Sequence, residues 1–223
     1  MIFKQIESGG DRNYAYLIAC KKTGKAAIID PSPDAEKVLA AISDVNKKLA
    51  GIDINIEYVI NTHSHYDHSS GNSYFKNISG SSNVRFINCT GIKEKGRMQI
   101  KDSQPISAGE IMLEIISTPG HTPDSICIRA GNKLITGDTL FVGKIGGTYS
   151  IEDSKKEFES LKKIMKLPPE TEIWPGHNYG VRPHSTIADE LAGNPFIARL
   201  SDFDSFLWLK QNWASYKIEH GIQ

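Results

Sequence analysis

The order of local signals along the chain predicts a mixed α/β or α+β protein. Three observations carry that expectation: short β-type runs crowd the first thirty residues, an amphipathic helical stretch follows, and further strands lead into a helical end. The 223 residues are 39% hydrophobic with no visible linker, so one domain spanning 1–223 with a sizeable core is expected.

Residues 2–6, 14–20 and 26–30 read as strands separated by turns at Gly9-Gly10 and Thr23-Gly24, an antiparallel opening. Val38, Ile42, Val45 and Leu49 recur at helical spacing between Ser32-Pro33 and Gly51, which predicts a helix with one face on a sheet. Residues 58–61 form the next strand, and 84–88, 111–117, 125–129 and 133–136 follow as further strands, with Ser79-Gly80-Ser81-Ser82 as a surface loop. The run Ser154-Lys155-Lys156-Glu157 reads as a capping box that opens a helix turning Phe158, Leu161 and Met165 inward. Two more helices are expected near 186–193, stopped by Gly193-Asn194-Pro195, and near 202–218, where Phe203, Phe206, Leu207 and Trp213 share a packed face.

Composition narrows the partners. With 26 basic and 26 acidic residues the formal net charge is zero, and Lys155, Lys156, Lys162, Lys163 and Lys166 alternate with acids as a solvated face, so no nucleic-acid footprint is expected. No apolar run approaches the length of a membrane span and no leader-like segment opens the chain, which leads to the expectation of a cytoplasmic protein without a membrane partner. Cys20, Cys89 and Cys127 are odd in number and widely spaced, and are expected to be reduced, buried thiols.

The chemistry is concentrated in Thr62-His63-Ser64-His65-Tyr66-Asp67-His68, directly after the strand at 58–61. Three imidazoles and a carboxylate at this density have no packing rationale in a loop, and they suit zinc, iron or manganese. Two more of the seven histidines follow Pro-Gly turns at strand ends, in Thr118-Pro119-Gly120-His121 and Trp174-Pro175-Gly176-His177. Gly137-Asp138-Thr139 is a third such junction and presents a carboxylate. His184 and His220 lack this setting and are given no role.

These seven positions resemble the ligand pattern of the metallo-β-lactamase superfamily, H-x-H-x-D-H followed by a later His, Asp and His. The phrases at 118–123, 137–142 and 175–180 are most similar to its glyoxalase II and persulfide dioxygenase branch, and the likeness runs from about Asn13 to Asn194. The resemblance implies a four-layer αββα sandwich with the metal loops along one edge. It implies two divalent ions, zinc before iron or manganese: one on His63, His65 and His121, the other on Asp67, His68 and His177, with Asp138 bridging. Asp67 and Asp138 become the catalytic carboxylates of a hydrolase, in which a bridging hydroxide cleaves a thioester or similar activated ester of a small acyl group. A thiolate of pKa about 8–9 leaves without a strong general acid, so no serine or cysteine nucleophile is required.

Tyr149 and Tyr179 fall where the resemblance implies substrate-contacting tyrosines. Gly147 occupies the place of a basic residue that helps bind glutathione in the branch, and Lys144, three residues earlier, is the nearest substitute. Roughly 40 residues follow His184, too few for the helical domain of glyoxalase II, so the thiol carrier stays open. Two alternatives accompany the hydrolase: a persulfide dioxygenase with a single iron on His63, His121 and Asp138, and a non-catalytic metal-binding scaffold. Monomer and homo-oligomer are equally compatible with the sequence.

Overall fold

The computed structural model describes residues 1–48, 51–78, 84–88, 97–99 and 105–222. Leu49, the expected loop at 79–82 and Cys89 lie outside the described residues. In chain order, β1 (Ile2–Gly9), β2 (Asn13–Ala19) and β3 (Lys25–Ile29) form the expected antiparallel meander. Helix α1 (Ala35–Lys48) then carries the chain to β4 (Asn55–Ile60), parallel to β3 as a helical crossover allows. Asp34 starts α1, its carboxylate accepting from the Lys37 N–H at 3.1 Å. Two short helices, α2 (Tyr66–Ser69) and α3 (Asn72–Ile78), precede β5 (Arg85–Asn88) and β6 (Arg97–Gln99), and these six strands lie in sequence order in one sheet.

The second sheet begins with β7 (Pro105–Ala108), β8 (Ile111–Ser117), β9 (Ile126–Ala130) and β10 (Lys133–Gly137). A small hairpin of β11 (Leu140–Phe141) and β12 (Lys144–Ile145) follows, then α4 (Ile151–Ile164). β13 (Glu172–Pro175) returns parallel to β10, and β14 (Ser185–Thr186) adds an edge. The chain ends in α5 (Ile187–Gly193), α6 (Phe203–Gln211) and α7 (Trp213–Glu219).

The layers follow from the two-residue period of the strands. In β2, Tyr14, Tyr16 and Ile18 pack between the sheets with Ile60, Leu113, Ile115, Ile128 and Ile135. Ala15, Leu17 and Ala19 face the other way, onto Val38 and Ile42 of α1. On the far side, Cys127, Leu134 and Ile173 of the second sheet meet Phe158 and Leu161 of α4 and Phe206 and Leu209 of α6. Helix, sheet, sheet, helix is therefore the layer order, as the resemblance implied. Each fully buried Leu, Ile or Phe contributes about 1.5–3 kcal/mol of transfer free energy. Among the described residues no helix is long and apolar enough to cross a membrane.

Two helix expectations need correction. The first concerns α4, which starts one turn before the expected capping box: Ser150 is extended (φ −146°, ψ 166°) and its hydroxyl accepts from Asp153 N–H, so Ser150 is the cap. Ser154 instead lies inside the first turn and donates to Ser150 O at 3.0 Å, while Glu157 is buried and bound to Lys210. The second concerns the helix near 202–218, which is two helices. Asn212 (φ −111°, ψ 14°) leaves the helical conformation, and its backbone N–H and side-chain amide both donate to Trp208 O, at 3.0 and 2.8 Å, closing α6 before α7 begins. Leu207, expected on the packed face, lines a cavity instead.

Candidate metal centre

Four loops, leaving the ends of β4, β8, β10 and β13, converge on one edge of the sandwich. The two sheets are tied there by backbone: Tyr14 N–H donates to Gly176 O at 2.8 Å, and Tyr16 OH donates to Pro175 O at 2.5 Å. Gly176 allows a close approach, because a Cβ there would stand 2.4 Å from Asp138 Oδ1 and 3.0 Å from His68 Cε1. The convergence brings together all seven residues expected as ligands. His63, His65 and His121 form one group, Asp67, His68 and His177 another, and Asp138 joins His63 and His68 in a third, with the ligand atoms of each group within 4.8 Å of one another.

The outer ring nitrogens reveal how the imidazoles are oriented. His68 Nδ1 lies 2.9 Å from Asp30 Oδ2, His121 Nδ1 lies 2.8 Å from Gly147 O, and His177 Nδ1 lies 2.8 Å from Asp11 O. Thr62 Oγ1 donates to Asp30 Oδ2 at 2.6 Å and so accepts from His63 Nδ1–H at 3.1 Å. Each outer nitrogen thus carries a proton, and each Nε2 faces inward, where it presents a lone pair whenever it holds no proton of its own. His63 Nε2 and His121 Nε2 both stand 3.0 Å from His65 Nδ1, and His68 Nε2 is 3.2 Å from His177 Nε2. Lone pairs crowded in this way repel one another unless a cation lies between them.

The carboxylates match. Asp138 is 9% exposed, and its Oδ1 is buried without a hydrogen-bond partner; Oδ1 lies 3.4 Å from His68 Nε2, and Oδ2 lies 3.3 Å from His177 Nε2 and 3.7 Å from His121 Nε2. A buried carboxylate oxygen left unpaired among inward-facing imidazoles fits a resident metal ion. Asp67 is the more open of the two acids, its side chain 43% exposed, with Oδ2 3.4 Å from His177 Nε2 and 3.5 Å from His68 Nε2.

Titration shifts follow the same charges. Burial, reinforced by neighbouring imidazoles, pushes His63 down to about 2, and burial also lowers His121. Burial works against protonated His68 too, but the Asp30 carboxylate outweighs it and raises the ring to about 9. For His177 burial is outweighed by its hydrogen bond to Asp138, and its pKa rises. Burial would raise Asp138, yet the bond from His177 and the charge of His68 hold its carboxyl well below the usual range. The two acids draw positive charge into the pocket, whether as protons on His68 and His177 or as metal.

The supports of this centre were not singled out from the sequence. Asp30 lies just past β3 in a left-handed conformation (φ 48°), buried, accepting from Thr62 N–H at 2.8 Å as well as from Thr62 Oγ1 and His68. A strained residue at a strand end in contact with a ligand is a positioning group. Asn13 donates to Asp67 Oδ2 at 2.9 Å, and Asn61 donates to His68 O at 2.8 Å. A signal for Asp30 was present, an aspartate closing an apolar run before proline, but it is common in proteins without metal.

The expected substrate residues are distributed differently. Tyr149 is 81% exposed, with its hydroxyl 3.5 Å from His65 Nε2. Tyr179 stacks on His177 at 4.6 Å between centroids, and its hydroxyl donates to Asp11 Oδ2 at 2.6 Å. Lys144 points to the backbone, donating to Tyr179 O at 2.8 Å. His184 stacks on Trp174 and His220 on Tyr216, apart from the cluster. Cys20 and Cys127 are free and buried as expected, and burial pushes the Cys127 thiol up to about 11.

A four-layer sandwich whose sheet edge gathers five imidazoles and two carboxylates defines a metal-binding protein, and residues 8–85 and 97–177 match the metallo-beta-lactamase superfamily. The chain belongs to that superfamily, and its relatives place it in the glyoxalase II-like, hydrolase part of it. It is 32% identical to a probable hydroxyacylglutathione hydrolase, glo2, of Schizosaccharomyces pombe, over 87% of this chain and 75% of that protein. It is 30% identical to a probable polyketide biosynthesis zinc-dependent hydrolase, BaeB, of Bacillus velezensis, over 83% of this chain and 81% of that one. Among solved structures, ETHE1 from Myxococcus xanthus superposes with a TM-score of 0.82 at 28% identity, covering 96% of this chain and 91% of that one.

Proposed function

We propose that this protein is a binuclear metallo-hydrolase that cleaves the thioester, or a similarly activated ester, of a small acyl group. The observation that carries this reading is the set of inward lone pairs around the unpaired Asp138 oxygen, complete for two ions. His63, His65 and His121 would hold one ion, Asp67, His68 and His177 the other, with Asp138 between them; zinc is the first candidate. Bound divalent ions supply a water acidic enough to attack at neutral pH and an electrophile for the carbonyl oxygen.

The chain's own residues do the rest. Asp30, Gly147 O and Asp11 O fix three rings in the tautomer that leaves Nε2 free. Asn13 holds Asp67 Oδ2 beside the Nε2 atoms of His68 and His177, where that carboxylate would complete the second ion's ligand set. No protonating acid is needed when the departing group is a thiolate. Two free buried thiols suit a reducing setting, and we place the protein in the cytoplasm.

The overlap with ETHE1 favours keeping a second reading, a mononuclear iron persulfide dioxygenase held by His63, His121 and Asp138. Elemental analysis of protein purified without added metal, run beside a thioester panel, separates the two. Two ions per chain with thioester turnover support the hydrolase. One iron per chain, no thioester turnover, and oxygen uptake with persulfides would replace it.

A further inference from the structure

A cavity of about 480 Å³ opens beside the His65 and His121 side of the centre, between the segment 145–151 and helices α6 and α7. It adjoins the site, since two of its lining residues touch the clustered histidines: Gly147 through its carbonyl to His121 Nδ1, and Tyr149 through its hydroxyl near His65 Nε2. Its volume suits a small molecule. The walls mix apolar and polar groups, with Ile151, Phe196, Leu207 and Trp213 beside Ser150 and the amide of Gln211.

Among the described residues lining the cavity, Lys210 is the one cation. Its ammonium is bound to the buried Glu157 carboxylate and to Gly146 O at 3.0 Å, and its side chain is 10% exposed. The Glu157 carboxylate is buried with it, so above that carboxyl's pKa the two charges cancel behind the wall. Across the centre, Arg12 stands 3.7 Å from the Asp11 carboxylate, which also accepts from Tyr179. Glutathione carries two carboxylates, and binding them calls for charge-assisted donors, whereas among the described residues lining this cavity the one cation is already paired.

Resting on the hydrolase reading, we propose that this cavity receives the uncharged, amide-bearing arm of a pantetheine-type thiol carrier rather than glutathione. The arm's branched methyl groups would lie on Leu207 and Trp213 and an arm amide would meet Gln211, with the thioester carbonyl carried past Tyr149 to the centre. In the reaction the water oxygen bonds to the acyl carbon and the carbon–sulfur bond breaks. The products are the carboxylic acid and the free thiol, with no oxidant or reductant.

The test uses metal-loaded protein at about pH 8, because burial raises the Glu157 carboxyl to about 7 and the ion pair is complete above that. Acetyl-pantetheine, acetyl-glutathione and phenyl thioacetate share one acyl group, and the expected result is kcat/KM at least about tenfold higher for acetyl-pantetheine than for acetyl-glutathione. Equal or reversed values would overturn the proposal. Acetyl-coenzyme A and an acetylated carrier protein then name the source of the arm, and preference for either supports it. If phenyl thioacetate is also inert, the hydrolase reading has failed. Calorimetric titration with reduced pantetheine and reduced glutathione then decides the cavity, because both offer the same thiol: pantetheine about tenfold tighter supports it, and glutathione equal or tighter sinks it. Leu207→Glu, checked for folding by circular dichroism, should lower the acetyl-pantetheine to phenyl thioacetate ratio of kcat/KM by about tenfold, and an unchanged ratio counts against the cavity.

Discussion

His68 and His177 are 1% and 3% exposed and lean on the first sheet and its turn, through Asp30 and Asp11 O, whereas His65 and His121 lean on the segment that walls the cavity. The buried pair is held by groups that a substrate does not reach. On the other side, the Gly147 carbonyl that orients His121 neighbours Gly146, whose carbonyl is held by Lys210 of α6. Metal support and substrate binding are therefore separable on one side of the centre and coupled on the other.

Asp138 belongs to both sides, so its loss should have the largest effect. Asp138→Ala is expected to lower kcat/KM for a thioester by on the order of 10³-fold or more, with a reduced metal count and an unchanged circular dichroism spectrum. Turnover at the wild-type level would remove the carboxylate from the mechanism. Asp30→Asn probes the buried side most directly, because the carboxylate touches His68 itself and reaches His63 of the other group only through Thr62 Oγ1. It keeps the shape but loses the charge that fixes the His68 ring, and it should weaken binding of the ion on His68 by about 10–100-fold and the other ion less, as read by competition with a chelator. Equal weakening of both ions would show that the two sides are not separately supported.

The sequence exposed these two sides unequally. All seven residues that meet at the centre were legible, because His and Asp at strand-end turns carry their chemistry in their identity. The early strands, α1 and the strand at Ile111–Ser117 were legible from period and turn residues, whereas the four-layer order came from resemblance. Asp30 stayed hidden since its role depends on a long-range meeting with Thr62 and His68, which no local spacing encodes. The coupled side was the least legible. Glu157 looked like the end of a capping box, yet its partner Lys210 lies 53 residues away on another helix. Leu207 looked like core because periodicity gives the face of a helix but not what that face meets.

Glu157 offers a smaller, pH-dependent test of the coupled side. Burial raises its carboxyl from 4.5 to about 7 although Lys210 pulls it back. The folded chain then binds one more proton than the unfolded chain between these values, so this contribution is fully present below about pH 4.5 and is lost as pH rises through about 7. Glu157→Gln cannot titrate. Denaturant unfolding at about pH 5 and pH 7.5 should show wild type losing more stability than the variant, by about 2 kcal/mol. Parallel losses would place the Glu157 titration outside this window.

Tyr149 should give the smallest effect, and it sharpens the comparison most finely. The residue is 81% exposed, and a hydroxyl 3.5 Å from His65 Nε2 lies at the outer limit of a hydrogen bond. If His65 draws its orientation mainly from packing against His63 and His121, with ring centroids at 4.6 Å and 4.7 Å, Tyr149→Phe should leave the metal count unchanged and shift kcat by no more than about threefold. Tyr149→Ala removes the ring from the cavity mouth and should act on KM instead. A fall in metal affinity for the Phe variant would mean that the exposed hydroxyl holds a ligand in place, and that the open side is as tightly supported as the buried one.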